Sequence, residues 1–179
     1  LTEHQPHTTR TVWFDYLYLM LVSGAIIALD QWTKHLVRTH LLLGSDWLPE
    51  NMAWLLPYAR VRYWYNTGAA FGIFQNGNLV FTILAFVVAV AILYYFPRIE
   101  RDWWLRLALA MQLSGAVGNL IDRLQFQHVI DFISVGTFPI FNVADASITV
   151  GAAIMVLGVL INEHRKKQSQ GVEEKSNGE

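Results

Sequence analysis

Four stretches of the chain lack the polar punctuation of a water-exposed helix. An apolar run opens near Val12, is interrupted by Asp15 and continues uncharged from Tyr16 to Leu29. A second, NLVFTILAFVVAVAILYYF, covers Asn78 to Phe96 and stops at Pro97. A third, Trp103 to Ile121, carries Arg106 near its start, and a fourth runs from Ala146 to Ile161. They are apolar all round rather than along one stripe, as lipid-facing helices are. At 1.5 Å per residue they cover roughly 24–30 Å, close to the hydrocarbon thickness of a bilayer. A chain of 179 residues has no interior for four such helices. The pattern therefore predicts an all-α membrane protein with four transmembrane helices, at about 12–29, 78–96, 103–121 and 146–161.

Elsewhere the pattern changes. Residues 59–66, ARVRYWYN, begin by alternating apolar and polar positions and end at a turn signal, Asn66-Thr67-Gly68. This predicts a small extracytoplasmic β element. Residues 1–162 read as one integral membrane domain, and the polar stretch 163–179 as a disordered cytoplasmic tail. A signal peptide is the rival reading of the first run, but the run is long for one and no A-x-A site follows before Asp30. No internal repeat is evident, against an inverted-repeat transporter.

Composition sharpens this. Charged residues make up 15% of the chain, against roughly 25% in soluble domains. Only 16 of the 27 charges fall in the 147 residues from 16 to 162. With a net charge of −1 and no basic stripe, binding to nucleic acid is excluded. The absence of Cys excludes thiol catalysis and a disulfide scaffold. Arg10, then Arg98, Arg101 and Arg106, then Arg165, Lys166 and Lys167 share one side if the chain crosses four times. By the positive-inside rule both termini are cytoplasmic. Lys34, Arg38, Arg60 and Arg62 lie in the long outer segment, where length weakens the rule. All seven Trp avoid the centres of the runs, as an aromatic belt requires.

This topology gathers carboxylates at one leaflet. Asp30 and Asp122 end helices 1 and 3, Asp145 opens helix 4, and Asp131 lies in the link between helices 3 and 4. Acidic groups at membrane depth are costly and point to function. Each also has a plain structural reading. Asp30 and Lys34 form an i, i+4 pair; Asn119, Asp122 and Arg123 close a helix; Asp145 is an N-cap. Asp131, in His128-Val129-Ile130-Asp131-Phe132, has no obvious cap role. The only Glu-His pair, Glu163-His164, lies in the tail, so the zinc-protease H-E-x-x-H is absent. Ser114 sits mid-helix with no His beside it and reads as a packing residue. Carboxylate chemistry remains, with no metal or cofactor called for.

At this point the motifs resemble bacterial lipoprotein signal peptidases, the signal peptidase II family. The matching pieces are Asp30-Gln31-x-Thr33-Lys34, Asn66-Thr67-Gly68-Ala69-Ala70-Phe71-Gly72, Gly118-Asn119-Leu120-Ile121-Asp122-Arg123, Val129-x-Asp131-Phe132 and Phe141-Asn142-Val143-Ala144-Asp145. They stand in the family's order and cover residues from about 12 to 162. Ser114 replaces a usual Gly, and only 13 residues separate Asp131 from Asp145. The resemblance implies an outer β-cradle with a short surface helix, and a catalytic dyad of Asp131 and Asp145. Asn66, Asn119, Asn142, Asp122 and Arg123 would orient substrate and support the dyad, while Asp30 and Lys34 brace helix 1. Asp122 is the alternative dyad member, but Arg123 beside it suits an ionised, supporting carboxylate.

The implied enzyme is an intramembrane aspartic endopeptidase of the bacterial inner membrane. It would act as a monomer among membrane lipids, with its site near the outer leaflet. It would cut prolipoproteins before the diacylglyceryl-modified Cys, by water attack without a covalent intermediate. The rival from another class is a small ion- or proton-conducting protein. Helices 2 and 4 offer almost no polar residues for such a path.

Overall fold

The computed structural model describes residues 9–68, 77–99 and 102–176, and side chains within 12–68, 77–99 and 102–164. The elements are α1 (Thr9–His40), β1 (Asp46–Trp47), a 3₁₀ helix (Glu50–Leu55), β2 (Ala59–Asn66), α2 (Asn78–Tyr95), a 3₁₀ turn (Phe96–Arg98), α3 (Trp103–Phe126), β3 (Val129–Val135) and α4 (Val143–Ser176).

Three helices are long and apolar enough to cross a membrane: Val12–His40, Asn78–Arg98 and Val143–His164. The third predicted run, α3, does not reach that composition, so three of the four expected transmembrane helices are found by length and apolarity among the described residues. The reason lies in its position. α3 packs on α1, α2 and α4, so its neighbours are protein. It can carry Arg106, Gln112, Asn119 and Asp122 because each finds a partner on another element. Close approach to α4 depends on Gly115 and Gly118. A Cβ at Gly115 would collide with the Ala144 carbonyl, and one at Gly118 would sit 3.2 Å from the Ala144 Cβ and 2.8 Å from Asp30 Oδ2 on α1.

Helix ends move too. α1 continues ten residues beyond Asp30 to His40. Asp30 and Lys34 neutralise each other inside the bundle, so charge does not mark the end of this helix. α3 likewise runs past Ile121 to Phe126 and ends at Gln127, whose φ of 63° places a non-glycine residue in the left-handed region. α4 runs as helix to Ser176 through the polar stretch read as disordered; its Glu, Lys, Gln and Arg are good helix formers.

The predicted strand over 59–66 is β2, the centre of a three-stranded antiparallel sheet ordered β1-β2-β3. Val61 pairs with Ile133 but Trp64 with Asp131, so β2 carries one extra residue, a bulge. Two apolar cores flank a polar layer. Leu19, Ala89, Ile92, Phe96, Ala110 and Leu113 pack between α1, α2 and α3. Val37, Tyr63, Ile130 and Phe132 join α1 to the sheet.

Candidate active site

Asp131 and Asp145 are brought together by a short chain reversal. After β3, Gly136 turns the backbone with a φ of 52°. Phe141 then pairs back onto Ile133, donating to its carbonyl at 3.1 Å and accepting from its N–H at 2.7 Å. The 13-residue link is thus a tight return, and it sets Asn142 beside Asp131.

Asn142 immediately precedes α4. Its Oδ1 accepts the Asp145 N–H at 2.9 Å, and Asp145 Oδ2 accepts the Asn142 N–H at 3.2 Å. This is a reciprocal capping box. The cap is therefore Asn142, and Asp145 stands three residues into the motif rather than at the N-cap position. With its side chain fixed this way, Asn142 Nδ2 donates to Asp131 Oδ1 at 2.7 Å and to Asn119 Oδ1 at 3.1 Å. Asn66 Nδ2 donates to the other Asp131 oxygen at 3.0 Å. The bulge in β2 makes this possible, since one residue fewer would turn Asn66 to the opposite face.

Asp131 is buried at 1% exposure and Asp145 is half-buried. Burial, and next the charge of Asp145, push the Asp131 carboxyl up to about 7. Hydrogen bonds from Asn66 and Asn142 and the charge of Lys34 oppose the shift without cancelling it. A carboxyl that keeps a proton near neutral pH stands beside a second carboxylate. Such an arrangement can share one proton.

The other predicted residues form a second polar cluster. Lys34 Nζ lies 2.8 Å from Asp30 Oδ2 and 2.9 Å from Asp122 Oδ2, and donates to Asn119 Oδ1 at 3.1 Å. Asp30 Oδ1 accepts the Ala144 N–H at 2.9 Å, and Asp122 Oδ2 the Ile130 N–H at 3.1 Å. Asp122 is thus engaged by Lys34 and the start of β3. Arg123 is half-buried, with its guanidinium 5.5 Å from the Phe81 ring, and its charge acts on Asp145, Asp131 and Asp122. Gln31 had no role assigned from sequence. It donates to Asp30 Oδ2, Asp122 Oδ1 and the Gly118 carbonyl, each at 3.1 Å. Its spacing two before Thr33 and three before Lys34, within the same motif, was the available signal. Of the Asn66–Gly72 motif, Asn66 Oδ1 accepts the Gly68 N–H at 3.0 Å; residues 69–72 lie outside the described residues.

A cavity of about 470 Å³ opens beside Asp145, lined also by Asn66 and Arg123 and by apolar groups including Phe81, Phe141 and Ile148. Among the described residues no cluster of His, Cys, Asp and Glu is arranged to hold a metal ion.

The family model of signal peptidase (SPase) II matches residues 22–161. The chain belongs to the signal peptidase II family. Relatives of this family member include lipoprotein signal peptidases of Shouchella clausii, 41% identical over 156 residues, and Mesorhizobium japonicum, 41% identical over 155. The alignments cover 83% of this chain in both cases, and 97% and 88% of the relatives. A bacterial membrane enzyme solved in meso at 2.3 Å superposes with a TM-score of 0.75 at 27% identity, covering 83% of this chain and 90% of that one. A second, solved at 1.9 Å, gives 0.70 at 28% identity over 79% and 92%. This signal peptidase II family member is a bacterial membrane protein and a protease.

Proposed function

We propose that this protein is an aspartic endopeptidase that removes the signal peptide from prolipoproteins, cutting before the diacylglyceryl-modified Cys. The observation that carries the reading is the pair of carboxylates on β3 and α4, joined through one asparagine and only partly neutralised. Asp131, the deeper of the two, holds the proton. Asp145, whose oxygens accept from Asn119 Nδ2 at 2.8 Å and from the Asn142 backbone, takes a proton from a water between them. That water attacks the scissile carbonyl while Asp131 hydrogen-bonds the carbonyl oxygen as charge develops. The tetrahedral intermediate collapses as a proton passes to the leaving amine. No covalent enzyme intermediate forms.

Residues 1–162 act as one membrane domain, with α3 crossing beside the three apolar helices; its 24 residues give roughly 36 Å of helix. Both termini face the cytoplasm and the sheet lies at the outer leaflet. There the cavity beside Asp145 meets a lipid-modified substrate whose acyl chains stay in the bilayer. The test is cleavage by the purified protein in vesicles. A prolipoprotein carrying diacylglyceryl-Cys is cut before that residue, and the unmodified precursor is cut far more slowly. Equal cutting of both, or ion flux through the vesicles without cleavage, overturns the reading.

A further inference from the structure

The aspartates touch the Asp30–Lys34–Asp122 cluster through a single side chain, Asn119. An asparagine amide has two unlike ends, one accepting and one donating. Its oxygen faces Lys34 Nζ at 3.1 Å and its nitrogen donates to Asp145 Oδ1 at 2.8 Å. Turned over, it would set NH₂ against an ammonium that can only donate. Asp145 alone cannot enforce this orientation, because a carboxyl faces either end of an amide depending on whether it carries a proton. Lys34, with the cap-held Asn142 Nδ2 beside it on the same oxygen, enforces it whatever the dyad's protonation state. The same Asn119 oxygen receives Asn142 Nδ2, which also donates to Asp131. A lysine 2% exposed thus adds the one charged donor to those that fix the polarity of a chain ending on both aspartates.

We propose that Lys34 is a positioning residue of the aspartate pair: acting through Asn119, it keeps a donor on Asp145 and so reserves Asp145 as the proton acceptor. This rests on the aspartic reading above and goes beyond the bracing of α1. The charged groups around the pair are Asp30 and Lys34 from α1, Asp122 and Arg123 from α3, and the two aspartates themselves. Removing the Lys34 charge moves the Asp131 titration to higher pH, since that charge pulls Asp131 down.

The test compares pH–rate profiles of prolipoprotein cleavage for Lys34→Met and Lys34→Gln with the wild type; Gln keeps a donor if Met prevents folding. Asp15→Asn is the control, because Asp15 pairs with Arg106 at 2.7 Å across the same two helices, far from the site. The Lys34 variants move the pH optimum upward by about half a unit or more and lower kcat about tenfold with KM within twofold. Lys34→Arg restores part of the rate. Asp15→Asn lowers the melting temperature and leaves the profile in place. Superimposable profiles, with only the folded yield reduced, overturn the proposal while leaving the aspartic reading intact. Near wild-type cleavage by Asp131→Asn sinks that reading, and this one with it.

Discussion

Asp122 and Asp131 are buried to the same degree, at 0% and 1% exposure, yet their surroundings differ in kind. Asp122 lies against an ammonium, a glutamine NH₂ and a backbone N–H. Asp131 receives neutral asparagine amides from Asn66 and Asn142, and the charge that acts on it most strongly is another carboxylate, opposed by that of Lys34. One site neutralises a buried charge; the other leaves it in part uncompensated. That difference separates a carboxylate that holds helices together from one that can exchange a proton, although sequence offers both as acidic groups in apolar surroundings.

The largest effect expected from breaking this contrast is on turnover. Asp131→Asn and Asp145→Asn each lower cleavage at least about 1,000-fold in protein that still inserts and folds, as loss of general acid–base catalysis does. Asp122→Asn acts the other way, costing about 3 kcal/mol of stability by breaking a buried ion cluster, while its folded fraction still cleaves. Thermal unfolding of each variant beside its rate per folded molecule checks both. A third prediction concerns pH and stability. With Asp131 raised from 3.8 to about 7, the folded state is undisturbed below pH 4, and the cost of ionising the group grows as pH rises through 7. Relative to wild type, Asp131→Asn therefore gains stability from pH 4 to pH 8, by about 2–4 kcal/mol at most. A difference that shrinks with pH contradicts this. The smallest effect belongs to Asp46, which meets Arg60 and Arg62 at 3.2 and 3.3 Å on the exposed side of the sheet. Asp46→Ala changes stability by less than about 1 kcal/mol, measurable as a melting shift near the noise.

The sequence carried the apolar runs, the strand at 59–66 and the candidate residues, because these depend on local pattern. It misplaced what depends on partners. Asp30 looked like the end of α1 because one of its partners, the Ala144 N–H, comes from α4, and the others, Lys34 and Gln31, act inside the bundle. α3 looked like a lipid-facing span, although its polar residues are satisfied only at the centre of the bundle. β3 went unread because Asp131 interrupts a run, VIDFISV, whose β-branched residues and following Gly136 otherwise mark a strand. Asp145 was assigned a cap that Asn142 supplies, a distinction that needs the backbone geometry. The motif residues gave membership of the site, but the bulge that aims Asn66 and the amide orientation of Asn119 between Lys34, Asn142 and Asp145 exist only in three dimensions.

The central claim is that Asp131 and Asp145 work as a pair holding one proton. The most direct test is the pH dependence of single-turnover prolipoprotein cleavage by the wild-type protein in vesicles. The account predicts a bell whose upper limb falls near pH 7, set by loss of the Asp131 proton. A rate that is flat across this range, or that climbs through pH 7 to a plateau, contradicts it.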